Sequence, residues 1–163
     1  MPIEDISKQT DGFPSHLAWA VSMVENIDRS LKSHLVAVVV RGGKRLSWSA
    51  NTPKLTAYAR MMTKNPDCAS SHAEINAITL ARKKSDLRGC KMYVARVTRN
   101  NWRGRERAEV RLARPCESCE RVIAAHGIKR VFYTISPGSF GVMNVTCSEF
   151  PRRSTAKMKL PHS

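Results

Sequence analysis

No apolar run in this sequence is longer than Leu35–Val40, a strand-sized stretch far short of the roughly 20 residues a membrane helix needs. The N-terminal Met1-Pro-Ile-Glu-Asp carries neither the basic region nor the apolar stretch of a signal peptide, so the chain is expected to be intracellular and cytoplasmic. Glycine and proline number only 8 each, and there is no internal repeat or low-complexity tract, which excludes collagen-like and linker-like classes. Cysteines are 5, an odd set for a disulfide framework. Two of them form a C-x-x-C, which in a reducing compartment more often binds metal or does redox work. Acidic residues are scarce: 13 against 28 Lys and Arg, for a formal net charge of +15. A field of that sign attracts phosphate, and it also keeps a surface soluble.

What remains is a chain of ordinary single-domain size, 163 residues and 42% hydrophobic, able to bury a core without staples. Residues 1–150 are expected to form that domain and residues 151–163 a basic tail containing Arg152, Arg153, Lys157 and Lys159. Ser15 is placed to cap a helix whose apolar positions Leu17, Val21, Val24 and Ile27 keep helical spacing to about Leu31. The β-branched run Leu35–Val40 suits a buried strand, and Gly42-Gly43 turns it into a second strand, Arg45–Ala50. After a long loop, Asn51–Ser71, a second helix is expected from Ser71 or His72 to about Lys84. Met92–Val97 alternates as a strand, and residues 99–113 read as a basic loop or a ragged extension, with four arginines packed around Trp102. Pro115 opens a third helix that Gly127 stops, Val131–Ile135 is a further strand, and Val142–Val145 an edge strand. The order α-β-β-α-β-α-β-(β) describes a mixed sheet covered by helices.

The chemistry is carried by two separated pieces, His72-Ala73-Glu74 and Pro115-Cys116-Glu117-Ser118-Cys119. His72, Cys116 and Cys119 are zinc ligands by type, and three protein ligands leave a tetrahedral ion one open position for water. Glu74 supplies the proton carrier that such a water needs. Each piece falls at the start of a helix, and Cys116 and Cys119 share one helical face. Two helices starting side by side would aim all three ligands at one spot, with their positive dipole ends favouring thiolates. A closed structural site would need a fourth ligand, for which Cys68, Cys90, His126 and Cys147 are eligible.

Ser71-His-Ala-Glu-Ile-Asn-Ala-Ile78, Pro115-Cys-Glu-Ser-Cys119 and Gly127-Ile-Lys-Arg-Val-Phe-Tyr-Thr134 together resemble the cytidine and deoxycytidylate deaminase superfamily, across roughly residues 15–145. The resemblance implies a three-layer α/β/α sandwich with a five-stranded mixed sheet. It implies that His72, Cys116 and Cys119 bind Zn²⁺ and that Glu74 shuttles protons. It further implies that Asn51 contacts a sugar, that the Ala73 backbone lies against the base carbonyl, and that the chain forms a homo-oligomer. Two departures bear on substrate. Ser49-Ala-Asn-Thr-Pro-Lys54 stands where effector-responsive deoxycytidylate deaminases carry a Gly-rich stretch, which argues against control by dCTP. Arg114 and Ser118 stand where tRNA adenosine deaminases have Glu and Met, which argues against adenosine in tRNA. The arginine-rich insert Arg99–Arg111 fits neither pattern.

The expected activity is zinc-dependent hydrolytic deamination of a cytosine nucleoside or nucleotide, dCMP foremost. The charge and the Arg-Trp-Arg segment keep open a deaminase acting on single-stranded DNA or RNA, with Trp102 stacking on a base. A catalytically inactive zinc-folded module that binds nucleic acid is the third reading.

Overall fold

The computed structural model describes residues 6–24, 27, 33–52 and 72–145, with backbone alone at 33, 101, 102 and 105. The first helix is expected to run through Ile27 to about Leu31, but Ile27 lies in a bend; the rest of that extension, most of the Asn51–Ser71 loop, Cys68, Cys147, the Trp102 side chain and the 151–163 tail lie outside the described residues. A 3-10 turn, Ile6–Thr10, precedes α1 (Ser15–Val24). Then follow β1 (Ser33–Arg41), β2 (Lys44–Ala50), α2 (Ala73–Ala81), β3 (Lys91–Trp102), β4 (Arg105–Arg111), α3 (Glu117–Ala125), β5 (Arg130–Ser136) and β6 (Ser139–Asn144).

Strand alternation builds the layers. Val36, Val38 and Val40 of β1 and Tyr93, Ala95 and Val97 of β3 point to one face, where Leu17, Ala20, Val21 and Val24 of α1 cover them. Ala37 and Val39, with Met92 and Val94, point to the other face and pack under α2 and α3 through Ile75, Ile78, Val122 and Ile123. Each fully buried aliphatic side chain in these layers contributes about 1.5–3 kcal/mol. The result is the α/β/α sandwich with a mixed sheet that the sequence led us to expect.

The sheet runs β2-β1-β3-β5-β6, five strands, with a sixth beside it: β4 also pairs with β3. β3 and β5 are parallel and the other pairs antiparallel. β3 changes partner along its length. Lys91–Val94 pair with β5, and from Arg96 to Trp102 the same edge pairs with β4. Thr134, fully buried at the fork, satisfies both branches: its Oγ1 accepts from Arg96 N at 3.1 Å and donates to Arg111 O at 2.7 Å.

Of the basic loop or ragged extension expected at 99–113, the loop is therefore corrected to a β-hairpin, which extends β3 five residues beyond the Val97 at which the expected strand ended. Its two-residue turn, Arg103-Gly104, has left-handed φ at both positions, 51° and 73°, as the twist of a two-residue hairpin demands. Arginine is an uncommon occupant of that first position, which is why the turn was not legible. The edge strand is likewise shifted, to Ser139–Asn144 from Val142–Val145.

Candidate metal centre and active site

Both ligand-bearing helices begin at the same end of the sheet. α3 belongs to the crossover from β3 to parallel β5, so it starts beyond the C-terminal ends of those strands, where Ala113 N bonds Thr134 O. α2 enters β3 from the opposite direction, which puts its first turn at that end too. Asn76 fastens it there: its Nδ2 donates to Ala50 O at 3.1 Å and to Thr52 Oγ1 at 3.3 Å, at the close of β2.

His72 and Cys116 are the N-cap residues of α2 and α3, each in extended backbone conformation, and neither side chain caps its helix. Such a side chain ordinarily folds back to accept from a first-turn N–H. Here both reach across instead. His72 Nδ1 lies 3.2 Å from Cys119 Sγ and 3.5 Å from Cys116 Sγ, and one ligating atom from each of the three residues falls within 4.8 Å of the others. Neighbouring ligands of tetrahedral zinc are roughly 3.3–3.8 Å apart. Cys119 is buried, His72 half-buried and Cys116 exposed, so the cluster has one solvent-facing side.

The electrostatics suit a cation. Hydrogen bonds from Cys119 and His72 pull the Cys116 thiol down to about 4, against burial, making it a thiolate. The His72 imidazole is raised in return, chiefly by its hydrogen bond to Cys116. Glu74, one helical residue on, is only 3% exposed, and its Oε2 is buried with no hydrogen-bond partner. Burial pushes its carboxyl up, while hydrogen bonds to its own backbone and Cys119 and the His72 charge oppose that. One imidazole nitrogen and two sulfurs beside an unsatisfied carboxyl form a donor set that fits zinc. Among the described residues no fourth ligand joins the cluster. Cys90 precedes β3 at the far end of the sheet and His126 follows the last turn of α3; Cys90, Cys116 and Cys119 are all free thiols.

The other two residues expected at the site are placed differently. Asn51 is locked to the start of β1, its Oδ1 accepting from Leu35 N at 3.0 Å and its N donating to Leu35 O at 3.2 Å, which leaves its amide NH₂ as the remaining donor. The Ala73 side chain is fully buried in the core under α2. Sequence reading missed Asn76. The available signal was an Asn inside an otherwise apolar helix, where it is a poor helix former and needs a reason to be there. It also missed Ser47, whose buried Oγ donates to Ala77 O at 2.7 Å and pins α2 to β2.

Fold and cluster together define a class: an α/β/α protein whose two helix N-termini present three side chains able to hold a metal ion beside a buried carboxyl. A family model described as the cytidine and deoxycytidylate deaminase zinc-binding region matches residues 15–135, and the chain belongs to that family. Among solved structures, the dCMP deaminase of the cyanophage S-TIM5 is similar at 22% identity and a TM-score of 0.46, over 72% of this chain and 77% of that one; that enzyme is also known in complex with dCMP and dUMP. A tRNA:A34 deaminase of A-to-I editing at the wobble position of transfer RNA is similar at 26% identity and a TM-score of 0.39, over 72% of this chain and 68% of that one. No curated protein sequence matches significantly. Among the described residues no helix is long and apolar enough to cross a membrane.

Proposed function

We propose that the chain is a zinc-dependent hydrolytic deaminase of a cytosine nucleoside or nucleotide, with dCMP as the favoured substrate. The observation that carries this is the convergence of His72, Cys116 and Cys119 beside the buried, unpaired Oε2 of Glu74. Zinc held by those three side chains would supply Lewis acidity and lower the pKa of a water toward neutrality.

The chain's own residues do the rest. Glu74 accepts one proton from the attacking water and delivers it to a ring nitrogen of the base. As the carbon–oxygen bond forms and the exocyclic carbon–nitrogen bond breaks, Glu74 carries the second proton to the departing amine, so that cytosine and water become uracil and ammonia. Burial favours the neutral acid, so the Glu74 carboxyl is held toward the form that donates, and a shuttle must pass through both forms. Asn51, through its free amide donor, is assigned to the sugar, and the Ala73 backbone to the base carbonyl. Exposed Arg114, two residues before Cys116, is suited to a 5′-phosphate. Neighbouring copies of the chain in a homo-oligomer complete the reading.

The test is turnover of dCMP and of deoxycytidine by zinc-loaded protein. We expect dCMP to be converted with the higher kcat/KM, and Arg114→Gln to narrow the gap. Equal conversion would remove the phosphate from the account, and conversion of neither would remove cytosine.

A further inference from the structure

The hairpin that replaces the expected loop sorts its arginines onto two faces. Val97, Ala108 and Val110 face α1 in the core, and Arg99 follows them: its side chain is buried and its Nη2 donates to Val24 O, at the last residue of α1, at 3.2 Å. Arg99 is a structural residue. The alternate positions belong to the opposite face, the one that lies under α2 and α3 nearer the core. There the register sets Arg96 opposite Arg111, Thr98 opposite Glu109 and Asn100 opposite Arg107. Asn100, Arg107 and Arg111 are exposed, as is Arg103 at the tip.

Three features mark this face. Like charges directly opposite each other destabilise a strand pair, and Arg96 and Arg111 are such a pair, with Glu109 at 2.8 Å from Arg111. Arg103 holds a left-handed φ of 51°, where Asn or Gly would sit without strain. Arg107 makes no ion pair among the described residues. From Arg96 to Trp102 the ribbon is about 20 Å long, several times the reach of one phosphate. It ends five residues before Cys116, at the end of the sheet that holds the metal cluster.

We propose that this face of the β3–β4 arm is a docking surface for single-stranded nucleic acid, its arginines pairing with successive backbone phosphates and the exposed Asn100 hydrogen-bonding between them. A mononucleotide would leave most of the charge unused. A single strand, unlike a duplex, brings bases unpaired past the neighbouring site. The inference goes beyond the deaminase reading and stands without it.

The test uses the full chain and a fluorescent strand of about fifteen thymidines, which holds no base the site could deaminate, so that binding is read apart from catalysis. Anisotropy titrations across salt give affinity and slope. Arg107→Gln with Arg111→Gln is expected to weaken binding about tenfold or more and to lower the salt slope by roughly 1.4, with Lys at both positions restoring it. Arg103→Asn, which suits the left-handed turn, is expected to weaken binding in a protein that still unfolds cooperatively, so that the loss is read apart from misfolding. Lys44→Gln with Lys83→Gln, the same charge change at the far end of the sheet, is expected to leave affinity within about twofold. Absence of strand binding, equal loss in the lysine control, or tighter binding to the matching duplex or to phosphatidylserine vesicles would each overturn the proposal.

Discussion

Glu74 and Thr134 are both fully or nearly fully buried polar side chains, and they show opposite ways of treating one. Thr134 uses donor and acceptor together to close the fork where β3 exchanges β5 for β4. Thr134→Val keeps the shape and leaves Arg96 N and Arg111 O unpaired, so we expect a loss of about 1–3 kcal/mol in urea denaturation. A loss under about 0.5 kcal/mol would mean that water fills the fork. Glu74 instead keeps one oxygen unpaired beside the cluster, a cost that the proposed proton transfer there would repay. That His72, Cys116 and Cys119 meet beside Glu74 was legible because their spacing is local, two residues in one case and three in the other. Thr134 was not: its partners lie 23 and 38 residues away, and nothing near it in the chain marks it. Asn76 was hidden in the same way, its partners 24 and 26 residues back.

Among the elements, the two hairpins make the comparison cleanest. Gly42-Gly43 and Arg103-Gly104 adopt the same left-handed turn, and only the first announces itself in residue type. With the turn unseen, alternation along residues 96–111 was obscured by arginines on both faces, and the strands went unread. β4 would leave an open edge, and Gln9 covers it by imitating a strand: its Nε2 donates to Ala108 O at 3.0 Å and its Oε1 accepts from Val110 N at 2.9 Å. Gln9→Ala should cost about 1–2 kcal/mol and speed hydrogen exchange at the Val110 amide above that of β1 amides. Unchanged exchange there would show that β4 is held by its pairing with β3 alone. At the close of α3, His126 is pulled below its ordinary value of 6.5, first by burial and then by Arg82, against a hydrogen bond from its Nδ1 to Val122 O at 2.9 Å. With the folded value below the unfolded one, the unfolded chain binds more protons in between. Stability therefore falls as pH drops through 6.5 toward the folded value. His126→Gln should flatten that part of a stability–pH curve measured by denaturant midpoint; an identical slope in the variant would assign it to another group.

In the molecule as a whole, the sheet brings to one end the two helix starts that hold the ligands, the close of β2 with Asn51, and the arginine-bearing arm. Fold class and layer order follow from hydrophobic periodicity, which is why they could be read in advance. The arm and the tethers follow from register, which a single sequence does not display. Metal should be coupled to the stability of this arrangement, since His72, Cys116 and Cys119 join two helices otherwise linked only through the sheet and their mutual packing. Free zinc at about 1,000 times its Kd would add roughly 4 kcal/mol to unfolding. We expect a chelator to lower the melting temperature and zinc to restore it, with one zinc per chain by elemental analysis. A melting temperature indifferent to both would mean that these three side chains are not a metal site.

The measurement that bears most directly on the account is ammonia release from dCMP by zinc-loaded wild-type protein and by Glu74→Gln, with zinc content determined on the same samples. The account predicts full zinc in both and turnover in the wild type that falls by about 10²–10⁴-fold in the variant. Equal turnover by a zinc-replete Glu74→Gln protein, or none by zinc-replete wild type on any cytosine nucleoside or nucleotide, would contradict it.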